Sequence, residues 1–386
     1  MRPKFRSGNR LTLLQSGTEY FPALLSAIQT AQQEVYLEAY IFEPDATGAA
    51  FAAALSAAAR RGVKVRVLVD GFGSSRVIDT LMPAMMRDGV AVLVYRPEQV
   101  LSPLKMRRLR RLHRKLAVID ARVAFVGGIN IIDDFDPPGA TVPRLDYAVR
   151  VEGPLLRVMH DSVRQLWELV AWASFKRRLA LDVPRWQGDE GAGRVRAAFL
   201  VRDNIRHRRD IESAYIDAIH RARRDILIAN AYFLPGRRFR SALLAAAGRG
   251  VKVTVLLQGR VEYWLQHYAT QALYGELMAG GVRIVEYDAS YLHAKVAVID
   301  GRWATVGSSN IDPFSLLLAR EGNLVVRDAA FAGDLGARLG AQMAAHGREL
   351  APQTWARRSL FARVMNRMAY ALLRFCIGVA GYRGEH

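Results

Sequence analysis

The chain of 386 residues has one cysteine, Cys376. That excludes an internal disulfide and any cysteine-rich zinc site, and it fits a reducing compartment. Long apolar runs are also missing: nowhere do about 18 uncharged apolar residues follow one another. The segment from Met1 to Gly17 starts basic but lacks the apolar stretch of roughly 7 to 15 residues that a signal peptide carries. The expectation is a chain that stays cytoplasmic and does not span a bilayer. Acidic residues are scarce, 36 Asp and Glu against 55 Lys and Arg, for a net charge of +19. A surplus that large suits a polyanionic partner, either nucleic acid or an anionic membrane surface, without choosing between them. No carboxylate cluster has magnesium or calcium spacing, so neither a metal nor a cofactor is expected. The hydrophobic share of 51% and charged share of 24% are ordinary globular values and exclude disorder as the main theme.

What is present is a large internal repeat. FAAALSAAARRGVKVRVLVDG from Phe51 returns as FRSALLAAAGRGVKVTVLLQG from Phe239. DGVAVLVY around Gly89 answers GGVRIVEY around Gly281, and LHRKLAVIDARVAFVGGIN from Leu112 answers LHAKVAVIDGRWATVGSSN from Leu292. Helices alternating with short apolar strands predict an α/β unit with a largely parallel sheet covered by helices. Two such pseudo-symmetric units are expected, over residues 1–190 and 191–350, followed by a basic amphipathic tail over 351–386. The join falls in the polar, glycine-bearing stretch Asp182 to Arg194. The repeat spacing is 192 between Gly89 and Gly281 but 180 between His113 and His293. The first copy therefore carries an insertion of about a dozen residues, within Pro97 to Leu112, rich in arginine and leucine.

Each copy contains His-x-Lys, four residues, then Asp: His113, Lys115, Asp120 and His293, Lys295, Asp300. In a strand, side chains at i and i+2 share a face, so each His and Lys can meet one ligand, whereas the Asp at i+7 has opposite parity. Asp300-Gly301 also reads as a tight hairpin turn, which points to a structural job for both aspartates. Beyond the turn come Gly127-Gly128-Ile129-Asn130 and Gly307-Ser308-Ser309-Asn310. Small residues admit a ligand to the backbone, and Asn130, Ser308 and Asn310 can donate to anionic oxygens. Two related His/Lys/Asn sets are what phosphoryl transfer without metal needs. One histidine attacks phosphorus, the other protonates the leaving alcohol, and lysines and asparagines hold the non-bridging oxygens. His160, His207, His220, His267, His346 and His386 sit in no recurring motif and read as surface or packing residues.

These motifs resemble the duplicated HxKxxxxD signature of the phospholipase D superfamily, over about residues 8 to 330. Glu38-Ala39-Tyr40-Ile41-Phe42, Asp70-Gly71-Phe72-Gly73-Ser74 and Asp146-Tyr147-Ala148-Val149-Arg150 resemble more narrowly the short bacterial cardiolipin synthases without amino-terminal transmembrane helices. The resemblance implies a catalytic set His113, Lys115, Asp120, His293, Lys295 and Asp300, with His113 as nucleophile and His293 as general acid and base. It implies that Asp146 and Glu321 orient the histidines. It further implies phosphatidyl transfer between two phosphatidylglycerols that releases glycerol. Hydrolysis, another alcohol acceptor, or a nuclease-like phosphodiesterase remain as alternatives. Gly128 stands where the second copy has Ser308, so the first phosphate pocket is expected to lack a hydroxyl donor.

The insertion mixes Arg107, Arg108, Arg110 and Arg111 with apolar residues, which reads either as a membrane-docking segment or as a solvated basic loop. The tail from Trp355 to Tyr382 reads equally as a helix lying on a membrane or packed on the body. Aromatic ladders suited to single-stranded nucleic acid are not obvious, so a phospholipid partner at the inner face of the membrane is favoured over nucleic acid. Oligomeric state is not written in these patterns.

Overall fold

The computed structural model describes residues 3–97, 111–135, 141–175, 191–203, 206–312, 315 and 319–379. The strands of the first half are β1 (Arg6–Gln15), β2 (Glu34–Ala39), β3 (Lys64–Asp70), β4 (Ala91–Tyr95), β5 (Lys115–Ile119), β6 (Val123–Gly127) and β7 (Tyr147–Glu152). The second half repeats them as β8 (Val195–Arg202), β9 (Asp225–Asn230), β10 (Lys252–Gln258), β11 (Arg283–Tyr287), β12 (Lys295–Ile299), β13 (Trp303–Gly307) and β14 (Glu321–Arg327), with a short edge strand β15 (Gly347–Glu349). Local chemistry sets the repeated helix-to-strand step. Asp45 caps the alanine-rich helix Ala46–Arg60 by accepting from Gly48 N. Gly62 and Gly250, in the repeated Arg-Gly-Val, take positive φ where the chain turns into β3 and β10.

The strands form one 15-stranded sheet in the order 15-11-10-9-12-13-14-8-1-7-6-5-2-3-4. Apart from β15 this order is a palindrome about the β8–β1 contact, as an internal two-fold requires. The mixed α/β architecture flanked by helices is as expected; the expected parallel majority is not. Among the described strands only β2–β3, β3–β4, β9–β10 and β10–β11 run parallel. Hairpins make β5–β6 and β12–β13 antiparallel, and further antiparallel pairings complete the sheet. Buried apolar runs look alike in either direction, so composition does not distinguish them.

Three cores result. One lies under the helices of each outer flank, and a third is shared, with β6 and β7 packed against β13 and β14 and the helices Leu156–Ala173 and Ala329–His346 closing it. The expected join at Asp182 to Arg194 lies mostly outside the described residues, as does the insertion up to Arg110, so Arg107, Arg108 and Arg110 are not placed.

Asp120 and Asp300 lie at the turn ends of β5 and β12, roughly 20 Å along the strand from each histidine. Asp120 accepts from Gln32, Gln33 and Glu34 N, and Asp300 from Arg223, Arg224 and Asp225 N. They tie the turn to the start of the neighbouring strand, so the motif aspartates do not belong with the catalytic groups. Burial pushes the Asp300 carboxyl up, but these N–H groups outweigh it and hold the carboxyl below its usual range. Asp120→Asn or Asp300→Asn should cost ~1–3 kcal/mol in a urea melt while turnover per folded molecule is kept. For Asp300 the stabilisation is present above the unfolded carboxylate range and is lost as pH falls through the depressed folded value.

Candidate active site

His113 and His293 lie two residues before the start of β5 and β12, and each is held by the other half of the chain. His113 N donates to Arg320 O (2.9 Å) and Arg320 N to Arg111 O (2.8 Å). In the mirror arrangement His293 N donates to Leu145 O and Leu145 N to Tyr291 O, both at 2.9 Å. These short parallel bridges, Leu112 with Arg320 and Leu145 with Leu292, deliver the next residue of each partner segment to the imidazole. Glu321 therefore meets His113 Nδ1 at 3.0 Å, and Asp146 meets His293 Nδ1 at 2.6 Å. The carboxylates are exchanged between halves: each histidine is oriented by the acid of the other copy. A carboxylate on Nδ1 leaves Nε2 free to face a ligand.

Lys115 and Lys295 are buried beside the histidines and donate to His113 O and His293 O. Burial and mutual repulsion lower Lys115 to about 7, and burial lowers Lys295 to about 8. Both imidazoles are pushed down, by burial first and by the lysines as well. Burial raises the Asp146 carboxyl to about 7, against the opposing pull of Lys295. Two lysines thus sit out of water, with Asp146 and Glu321 acting on both, and a phosphodiester beside them would favour their charged form.

Asn130 and Asn310 are both buried at this edge. Asn130 Oδ1 accepts from Ile41 N at 3.3 Å, while Asn310 Oδ1 is buried without a hydrogen-bond partner among the described residues. An amide with a spare end can serve a ligand. Ser308 departs from the expectation of a phosphate-binding hydroxyl: its Oγ donates to Glu321 Oε2 at 2.5 Å, so it braces the acid behind His113. At Gly128 a Cβ would come within 2.4 Å of Asp146 Oδ1, so the glycine makes room for the acid of the other pair. The Gly/Ser difference sorts the two carboxylates, not two phosphate pockets. No group of three or more His, Cys, Asp or Glu is placed to hold a metal ion among the described residues.

Some neighbours lie outside the His/Lys/Asn sets. The Tyr40 ring packs edge-on against His113 (centroids 4.7 Å) and lies under Lys115 Nζ (5.0 Å). Arg114, between the motif His and Lys, turns to the opposite face and forms a buried pair with Glu38 (Nε to Oε2, 2.7 Å) and Ser162. The second half has Ala294 and Ala229 there. That unequal pairing was visible as Arg against Ala within the two motifs. Arg111 lies at the cleft with its guanidinium 4.3 Å from the Phe72 ring centre.

A family model described as cardiolipin synthase, PLD-like domain, matches residues 24–135 and 215–341. Cardiolipin synthase B of Escherichia coli K12 is 37% identical over 386 residues, covering 100% of this chain and 93% of its own length. Cardiolipin synthase B of Salmonella typhi is 41% identical over 335 residues (86% and 79%), and cardiolipin synthase A of Erwinia tasmaniensis 31% over 369 residues (94% and 75%). Phosphatidylserine synthase from Haemophilus influenzae Rd KW20 shares the fold, with a TM-score of 0.69 at 12% identity over 97% of this chain and 95% of that one. The chain belongs to the cardiolipin synthase family of phospholipase D-like enzymes.

Proposed function

We propose that the chain joins two phosphatidylglycerol molecules into cardiolipin and releases glycerol, through a phosphatidyl-histidine intermediate. The observation that carries this reading is the pair of histidines, each with Nδ1 on a carboxylate, flanking two buried lysines. His113 Nε2 attacks phosphorus, the bond to the glycerol oxygen breaks, and His293 gives that oxygen its proton. A hydroxyl of the second lipid then gives its proton to His293 and attacks phosphorus, and the bond to His113 breaks. The depressed imidazole of His113 suits a neutral nucleophile, while a phosphodiester anion beside the lysines favours a protonated His293. Lys115, Lys295, Asn130 and Asn310 carry the charge that develops on the non-bridging oxygens. Purified protein given phosphatidylglycerol vesicles should release glycerol and form cardiolipin in equal amounts. Phosphatidic acid without cardiolipin would overturn the synthase reading.

The anionic inner membrane surface is the proposed working place, supported by the helix Leu360–Val379. Asn366, Ala369 and Leu373 pack it onto the helix Trp264–Gln271. A second face bares Phe361, Val364, Met365, Met368, Leu372 and Phe375, spaced as one helical stripe. Arg363, Arg367 and Arg374 run along one flank, and the helix has no acidic residue. None of the described helices is long and apolar enough to cross a membrane. The two alternatives for the tail thus meet in one helix, packed on one side and open on the other. Replacing Phe361, Met368 and Phe375 by Gln should weaken binding to anionic vesicles roughly tenfold per side chain. Sedimentation with vesicles checks it, and unchanged binding would contradict the docking role.

A further inference from the structure

Behind the two histidines the halves stop being alike. At the end of β3, Asp70 spends both oxygens on backbone: Oδ2 accepts from Leu112 N, and Oδ1 from Phe72 and Gly73 N. At the same place at the end of β10 stands Gln258. Its Oε1 accepts from Leu292 N at 2.8 Å, but its Nε2 is buried with no partner among the described residues. Gln258 lines a pocket with Tyr232, Glu262, Tyr263 and Gln266, and Gln266 Oε1 is a second buried atom without a partner there. An unpaired buried donor and an unpaired buried acceptor each cost free energy until something fills them.

The pocket borders the His293 side of the cleft. Ala231 N donates to Ala294 O, so Tyr232 lies one residue beyond the strand edge that pairs with the His293 segment. The Glu262 carboxylate acts electrostatically on Lys295, and Tyr263 on Tyr40 in the first half. Glu262 accepts from Tyr232 Oη at 2.5 Å and faces Arg144 at 3.8 Å. Glu262 repels an anionic occupant and the lining Arg260 a cationic one, while Tyr232 and Arg144 already compensate the carboxylate against an ammonium. An alkyl chain would leave Gln258 and Gln266 unpaired. Neutral hydroxyls satisfy the whole set. The space of about 20 Å³ admits a single hydroxyl-bearing arm, because one water already needs ~10–15 Å³.

We infer that this pocket is the polyol subsite of the transfer reaction: it receives the terminal hydroxymethyl arm of the glycerol that leaves, and then that of the accepting glycerol. The inference rests on the phosphatidyl transfer proposed above. In that reaction the leaving and attacking oxygens both lie on the side of phosphorus opposite His113, next to His293, so one subsite serves both half-reactions.

The test offers phosphatidylglycerol vesicles three acceptors in equal excess, isotope-labelled glycerol, propan-1-ol and ethanolamine, with wild type, Gln266→Leu and Glu262→Gln. Wild type should form labelled phosphatidylglycerol over phosphatidylpropanol by about 100-fold or more, and Gln266→Leu should lower that ratio by at least about tenfold. The ratio is the readout, so a slower but folded variant still reports. If one variant makes no product, the ratio from the other decides. An unchanged ratio in the active variants, no wild-type preference between glycerol and propanol, or a preference for ethanolamine would overturn the subsite. Phosphatidic acid as sole product with every acceptor would instead overturn the transfer reading on which it rests.

Discussion

His113→Ala should lower cardiolipin formation by roughly 10⁴-fold or more, because in the proposed mechanism His113 forms the bond to phosphorus. His293→Ala should cost ~10²–10⁴-fold, the range of a lost general acid and base. The double variant should be no worse than His113→Ala alone, since groups acting in one sequence of steps do not add. Both imidazoles sit on single carboxylates among buried lysines, so removing either leaves the fold's apolar cores untouched. Initial rates on phosphatidylglycerol vesicles check this. Cardiolipin formation at the wild-type rate in either variant would contradict the mechanism.

The exchange of carboxylates predicts a second large effect. Glu321→Gln and Asp146→Asn should each slow turnover by roughly 10²–10⁴-fold, since an amide on Nδ1 favours the wrong tautomer and no longer stabilises the imidazolium. The pattern of coupling matters more than the size. In double-variant cycles Glu321 should couple to His113 and Asp146 to His293, because those are the pairs at 3.0 and 2.6 Å. Coupling confined to His113 with Asp146 and His293 with Glu321 would contradict the geometry.

The repeat makes the histidines, lysines and asparagines legible, because two copies of one spacing pick them out from eight histidines. Strand parity likewise separates Asp120 and Asp300 from the ligand face, although the motif groups them with the catalytic residues. The exchange of Asp146 and Glu321 is not legible. It depends on the bridges Leu112 to Arg320 and Leu145 to Leu292, which join segments more than a hundred residues apart and leave no periodicity. Ser308 misleads for a related reason: a hydroxyl in a small-residue loop looks like a phosphate donor until Glu321, from the adjacent strand, is seen to take it. Strand direction is hidden because β2, β5 and β12 are buried throughout and show the same apolar run whatever their neighbours' sense. The tail helix is half legible: its apolar stripe is in the sequence, but which face packs on the helix Trp264–Gln271 is a tertiary fact.

The most direct test of a composite site is capture of the intermediate. Protein mixed briefly with phosphatidylglycerol, quenched with denaturant near neutral pH and digested, should yield a phosphatidyl adduct on the peptide bearing His113. Cardiolipin formed with no adduct on His113, or with the adduct on His293 instead, would contradict the account.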